Sequence, residues 1–241
     1  MQPEPIGDGA GRASLELADW RRRVAELYVE VRRRAATDPG DAWDHWRAVR
    51  DGLYREHPQS PVPAEARPGF RSRHWPYDPA WRFEVEIRAP DPGNPAASSP
   101  VSGAIDFGSA VGGGGGLAAL SLQLPMSTGE ALSFSSLGVV EVPFRAGART
   151  LSLYWMAGYA GGIFLPFRDT TNGTATYGAG RYLLDTAKSA DLGGDIANGR
   201  LILDFNFAFH PSCAFDPRWS CPLAPPENRL DIAVEAGERL Q

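Results

Sequence analysis

Arg181, Asp204, Asn206, His210, Cys213, Cys221, Glu227 and Asn228 crowd the last third of the chain, within RYLLDTAK (181–188) and LILDFNFAFHPSCAFDPRWSCPLAPPENRL (201–230). Each type has a chemistry. A guanidinium such as Arg181 presents a planar fork to two oxygens and suits a carboxylate or phosphate. A carboxylate such as Asp204 or Glu227 works as a general acid or base when burial lifts its pKa. A thiol such as Cys213 becomes a nucleophile beside an imidazole such as His210. His210, Cys213 and Cys221 together offer three zinc ligands, without the Cys-x2-Cys knuckle and with a fourth to be found in Asp204, Asp216 or water.

Other readings stand beside these. Arg181 has internal candidates in Asp169, Asp185, Asp204 and Glu227, and internal pairing is the commoner fate of such an arginine. In a regular strand over 200–209, Leu201, Leu203, Phe205, Phe207 and Phe209 share a buried side. Ile202, Asp204, Asn206, Ala208 and then His210 share the other, which faces either solvent or a polar cleft. The turn at 169–173 precedes a strand that places Tyr177 and Arg181 on one face. The prolines of 222–226 deliver Glu227 and Asn228 rigidly, to a ligand or to loop backbone. Lys188, the single lysine, reads as a solvated turn residue, and Trp219 as core or cavity wall.

The elements that position these groups follow from periodicity. After a polar leader over 1–13, apolar residues recur at helical spacing from Leu17 to Val31, with Ser14 as the expected N-cap, and again from Trp43 to Leu53, with Asp41 as the cap, until His57-Pro58 ends the run. Residues 14–57 therefore form a helical hairpin arm. The prolines of 58–79 make an extended strap. From Trp81 the period becomes two, Phe83, Val85 and Ile87 alternating with Glu84, Glu86 and Arg88. Strands are further expected at 117–124, 131–135, 138–144, 149–156, 162–167, 176–184, 200–209 and 229–235, an antiparallel meander over 80–240 that closes as a barrel or sandwich. Residues 89–116 form a flexible insertion. Its glycine run matches neither a phosphate-cradling loop nor a dinucleotide fingerprint, and no G-x-S-x-G elbow exists.

With 24 basic and 29 acidic residues and a net charge of −5, the chain lacks the electrostatics of a nucleic-acid binder. A polar N-terminus and the absence of long apolar runs suggest a soluble cytoplasmic protein. The arginine-heavy composition suggests a bacterial source, and two cysteines in a reducing compartment are expected as free thiols.

The motifs Arg50, His57-Pro58-Gln59-Ser60-Pro61, Phe164, Pro166-Phe167, Asp169, Thr171, Gly173, Thr176-Tyr177, Gly180-Arg181-Tyr182-Leu183, Leu203-Asp204-Phe205-Asn206, Cys213-Ala214-Phe215, Cys221-Pro222, Pro225-Pro226-Glu227-Asn228-Arg229-Leu230 and Ala236-Gly237-Glu238 resemble a prokaryotic domain-of-unknown-function family, DUF1684, over about residues 47–240. Phe209-His210-Pro211-Ser212 departs from a Tyr-Asn-Pro pattern of many relatives. The resemblance implies a β-rich fold and a C-terminal site region, and no reaction.

The reading reached is a mainly β protein, an antiparallel barrel or sandwich-like domain with an N-terminal helical arm. It binds a small anionic or carbonyl-bearing ligand through Tyr177, Arg181, Asp204, Asn206, Glu227 and Asn228, with no cofactor. The alternatives are a hydrolase-like enzyme using Asp204, Glu227, His210 and Cys213, and an interaction module or homodimer built on the helical arm.

Overall fold

The computed structural model describes residues 9–89, 121–129, 131–156 and 161–240. Two helices, α1 (Ala10–Ala35) and α2 (Pro39–Glu56), form the expected hairpin. Helix α1 begins inside the segment read as leader, behind Gly9 rather than Ser14. The cap of α2 is Asp38, not Asp41: its carboxylate accepts from the N–H groups of Gly40 and Asp41, with Pro39 at the first helical position. His57 closes α2 in extended backbone just before Pro58, where the proline ring disfavours further helix.

The strands are β1 (Arg73–His74), β2 (Arg82–Arg88), β3 (Ser121–Pro125), β4 (Ala131–Phe144), β5 (Gly147–Met156), β6 (Gly162–Phe167), β7 (Arg181–Asp185), β8 (Arg200–Asp204) and β9 (Glu238–Arg239). Among the described residues they make one curled antiparallel sheet in the order β7-β6-β5-β4-β2-β8, with β3 added on β4, and a small β1-β9 pair. The alternation in β2 holds, with Val85 buried and Glu84, Glu86 and Arg88 exposed. The expected insertion at 89–116 lies, but for residue 89, outside the described residues, as does 117–120 of the expected first strand after it.

Several expected strands differ. That at 176–184 begins only at Arg181 and ends at Asp185, so Tyr177 lies outside it and does not share a strand face with Arg181. Residues 131–144 are a single strand bent by a bulge between Ser136 and Gly138. A side chain at Gly138, whose φ is 149°, would place its Cβ 2.6 Å from the Arg88 carbonyl, so only glycine lets β2 approach β4 here. The strand expected at 200–209 stops at Asp204, because that carboxylate accepts from the Asn206 N–H (3.0 Å) and turns residues 205–207 into a 3₁₀ helix. Residues 229–235 form no ladder. They pack Leu230 and Val234 into the main core and are held by single bonds such as Leu230 N–H to the Arg168 carbonyl (2.8 Å).

The main core lies inside the curled sheet, around Val140, Leu151, Leu153, Leu165, Phe167, Leu203 and Phe205. A second core joins the arm to the sheet: Leu27, Tyr28, Val31, Trp43 and Trp46 pack against Ala190, Leu192 and Phe207. The turn at 205–207 makes this possible, because it sends Phe205 into one core and Phe207 into the other. Among the described residues no helix is long and apolar enough to cross a membrane.

Candidate functional site

The structure disperses the residues grouped by the sequence. Arg181 is fully buried and its Nη2 pairs with Asp169 (2.5 Å) and the Val234 carbonyl (2.9 Å). Its Nη1 donates to the carbonyls of Ala236 and Glu238. Asp169 is held for this purpose, since its other oxygen accepts from the Thr171 N–H (2.7 Å) and hydroxyl (2.5 Å). A ligand anion at Arg181 would have to displace Asp169. The guanidinium is a rivet between the 169–173 turn and the C-terminal segment.

Asp204 and Asn206 form neither a wet strand face nor a ligand-reading row. Asn206 accepts from the Asp78 N–H (3.1 Å) and donates to the Asp78 carbonyl (2.9 Å), and its own carbonyl takes the Trp43 indole N–H (2.8 Å). Asp204 accepts from the Asn206 amide and from Arg82; burial pushes its carboxyl up from the usual range, against those bonds. The pair ties strap, α2 and β8 together.

The stiff proline segment does deliver Asn228, but to backbone. Its carbonyl accepts from the Ser152 N–H (2.7 Å), and its amide donates to the carbonyls of Ser152 (2.9 Å) and Pro166 (2.8 Å). The β5–β6 ladder covers only Tyr154–Met156, and β6 shifts register at Pro166, so the side chain supplies the missing rungs. Asn228→Ala is therefore expected to lower stability by about 2 kcal/mol, because three buried backbone groups lose partners; urea unfolding reads this, and a cost below about 0.5 kcal/mol would contradict it. Glu227 accepts from the Tyr154 hydroxyl (2.8 Å).

The enzymatic set Asp204, Glu227, His210 and Cys213 thus serves separate contacts. His210 accepts the Tyr177 N–H at Nε2 (3.2 Å), while its backbone N–H donates to Glu238 (2.8 Å). Burial depresses its imidazole to about 4, leaving it neutral near pH 7. That ring nitrogen is unavailable to zinc, and among the described residues no three His, Cys, Asp or Glu side chains are grouped to hold a metal.

A different site forms where the arm meets the sheet. A cavity of about 240 Å³ lies between α1, α2, the end of β7 and the 209–222 loop. Its apolar wall comes from Trp20, Leu27, Trp46, Leu53, Tyr182 and Phe209, and its polar groups include Arg50, Asp185, Lys188, His210, Trp219 and Cys221. Arg50 bonds Glu238 (2.8 Å) and the Tyr54 hydroxyl (2.8 Å) through Nη2 and stacks over Tyr54 at 4.3 Å. Although burial disfavours its charge, Glu238 and neighbouring tyrosines hold it protonated. Glu238 is itself depressed to about 2, burial being outweighed by Arg50 and nearby imidazoles. Gly237, at φ 77°, sets this up, since a Cβ there would lie 2.6 Å from the Ala208 carbonyl.

Three buried polar atoms of the cavity residues have no partner: Arg50 Nη1, Trp219 Nε1 and Asp185 Oδ1. Lys188 answers only the other Asp185 oxygen (2.5 Å). A larger groove of about 710 Å³ on the helical hairpin, lined by Glu16, Asp19, Arg23, Glu30 and His57 among others, has no such orphaned atoms among the described residues. Arg50 carried a sequence signal, a cation on the apolar stripe of α2; Trp219 reads from the sequence as core or cavity wall and Asp185 only as a partner for Arg181, because the unpaired atoms of both exist only once the arm has docked.

A solved structure is similar to the chain: the solution NMR structure of the uncharacterized protein from gene locus rrnAC0354 of Haloarcula marismortui, at 28% identity and a TM-score of 0.52, covering 80% of this chain and 90% of that one. Comparison with curated proteins finds no match. Residues 118–239, just over half of the chain, match the family described as Protein of unknown function (DUF1684). The chain belongs to that DUF1684 family.

Proposed function

We propose that the protein binds a small organic ligand bearing a carboxylate or carbonyl, with an apolar or aromatic body, in the cavity between the helical arm and the sheet. The observation that carries this is the pair of orphaned donors, Arg50 Nη1 and Trp219 Nε1, on residues of one largely apolar cavity. Buried donors without partners cost free energy, and a ligand acceptor removes that cost. Arg21, Arg50 and Lys188 outnumber Asp185 among the charged wall residues, which favours an anion. At about 240 Å³ the cavity falls below the range of roughly 300–1,000 Å³ typical of drug-sized ligands, so the ligand is small.

The wall of this cavity includes none of Tyr177, Arg181, Asp204, Asn206, Glu227 and Asn228, although the ligand class is the one the sequence suggests. The test is calorimetric titration of the full chain with a panel of small aromatic and aliphatic carboxylates. At least one is expected to bind, and Trp219→Phe, which keeps a ring and removes the donor, weakens it about tenfold at unchanged melting temperature. No binding at millimolar concentration, or an unaltered affinity in Trp219→Phe, would overturn the reading.

A further inference from the structure

The two cysteines, eight residues apart, are brought into contact. Cys213 sits in the 3₁₀ turn Ser212–Ala214, and its N–H donates to Cys221 Sγ at 3.3 Å. Cys221 is fixed from the other side, its N–H donating to the Ser127 hydroxyl (3.0 Å) and its carbonyl accepting the Ser127 N–H (2.9 Å). Both are free and buried, and Cys221 lies on the cavity wall. We propose that Cys213 and Cys221 form a hydroperoxide-reactive dithiol, Cys213 as the attacking thiolate and Cys221 as the thiol that resolves it.

The surroundings of Cys213 favour its ionised form. The neighbouring Cys221 thiol, with smaller help from the Tyr177 and Ser127 hydroxyls, lowers the pKa of Cys213 to about 6, against the opposing effect of burial. The Cys221 proton is held in that contact, so its own pKa rises. A low-pKa thiolate beside a second thiol is the arrangement that reacts with peroxide and then closes. Hydrogen peroxide is small enough for the cavity, whose wall carries Cys221 and Ser212, the residue before Cys213.

The chemistry balances. The Cys213 thiolate attacks one peroxide oxygen, the O–O bond breaks, and hydroxide leaves, with Cys213 oxidised to the sulfenic acid. The Cys221 sulfur then attacks Cys213 sulfur, the S–O bond breaks, and the departing hydroxide takes up the Cys221 proton as water. In sum, two thiols and one hydrogen peroxide give one disulfide and two waters. A dithiol reductant returns the pair by exchange.

This inference is independent of the carboxylate ligand, and its test involves none. The full chain is treated with stoichiometric hydrogen peroxide at pH 7, followed by intact mass and peptide mapping after thiol blocking. The wild type is expected to lose two hydrogens and yield a peptide linking Cys213 to Cys221. Cys221→Ser is expected to accumulate a dimedone-trappable sulfenic acid at Cys213, and Cys213→Ser to react at least tenfold more slowly than wild type. Tyr177→Phe, which removes a hydroxyl that favours the Cys213 thiolate, is expected to shift the pH profile of Cys213 alkylation upward, a readout that packing alone would not move. Absence of the 213–221 link, equal reactivity of Cys213→Ser and wild type, or an alkylation profile unchanged by Tyr177→Phe would overturn it.

Discussion

Arg181→Met is expected to lower the unfolding free energy by about 3–5 kcal/mol, because it leaves the Asp169 carboxylate buried without its partner. Both side chains are fully excluded from solvent in the ion pair, so water cannot take over. The carbonyls of Val234, Ala236 and Glu238, which the guanidinium gathers, lose donors at the same time. For a chain of this size the melting temperature should fall by roughly 6–20 °C. Chemical denaturation of the single variants and of Arg181→Met with Asp169→Leu forms the deciding cycle. The double variant is expected to recover part of the loss, since removing both charges also removes the cost of burying them. A single-variant loss below about 1 kcal/mol would show that Arg181 is not a structural rivet.

The second large effect is a loss of stability in acid. His74 has both ring nitrogens buried without partners and packs edge-on to Trp43 and Trp46 at 6.0 and 5.5 Å. Burial depresses it to about 3; Glu238 opposes the shift, and Arg50 and Arg47 reinforce it. His210 is depressed to about 4 and Glu238 to about 2. For all three the folded pKa lies below the unfolded one, so the unfolded chain binds more protons. Stability is full above the ordinary imidazole pKa near 6.5 and falls as pH drops toward 4, with Glu238 adding its share below about 4.5. The raised carboxyl of Asp204 acts with the opposite sign and offsets part of this.

His210 alone, displaced from 6.5 to about 4, corresponds to roughly 3 kcal/mol lost by pH 4. His74→Phe keeps the edge contacts with the indoles and removes a group that must stay neutral. It is expected to match the parent within about 1 kcal/mol at pH 7 and to exceed it by about 2 kcal/mol at pH 4.5. Urea midpoints at the two pH values decide this, and parallel stability curves for parent and variant would remove His74 from the account.

Local pattern carried a good part of the fold. The apolar stripes of α1 and α2, the break at His57-Pro58 and the two-residue alternation of β2 depend on neighbours within a few positions, and the structure has them where the local pattern places them. Alternation misled where a side chain competed with the ladder. Nothing in the run 200–209 shows that Asp204 will capture the Asn206 N–H, because an aspartate in a strand and one that ends a strand look alike locally. The same holds for Asn228, whose targets on Ser152 and Pro166 lie on strands far away in sequence.

The sequence by itself determined the two helices, a β-rich body and the concentration of polar groups near the C-terminus, since these follow from short-range sterics and hydrophobic period. Only the tertiary structure decided which of those groups are spent on the fold: Arg181 on Asp169, Asn206 on the strap, Asn228 on sheet backbone. It also decided that Arg50, Asp185, Trp219 and Cys221 would surround one cavity. Whether a polar atom is satisfied depends on every segment that folds against it, and partners so remote in the chain leave no mark in local spacing.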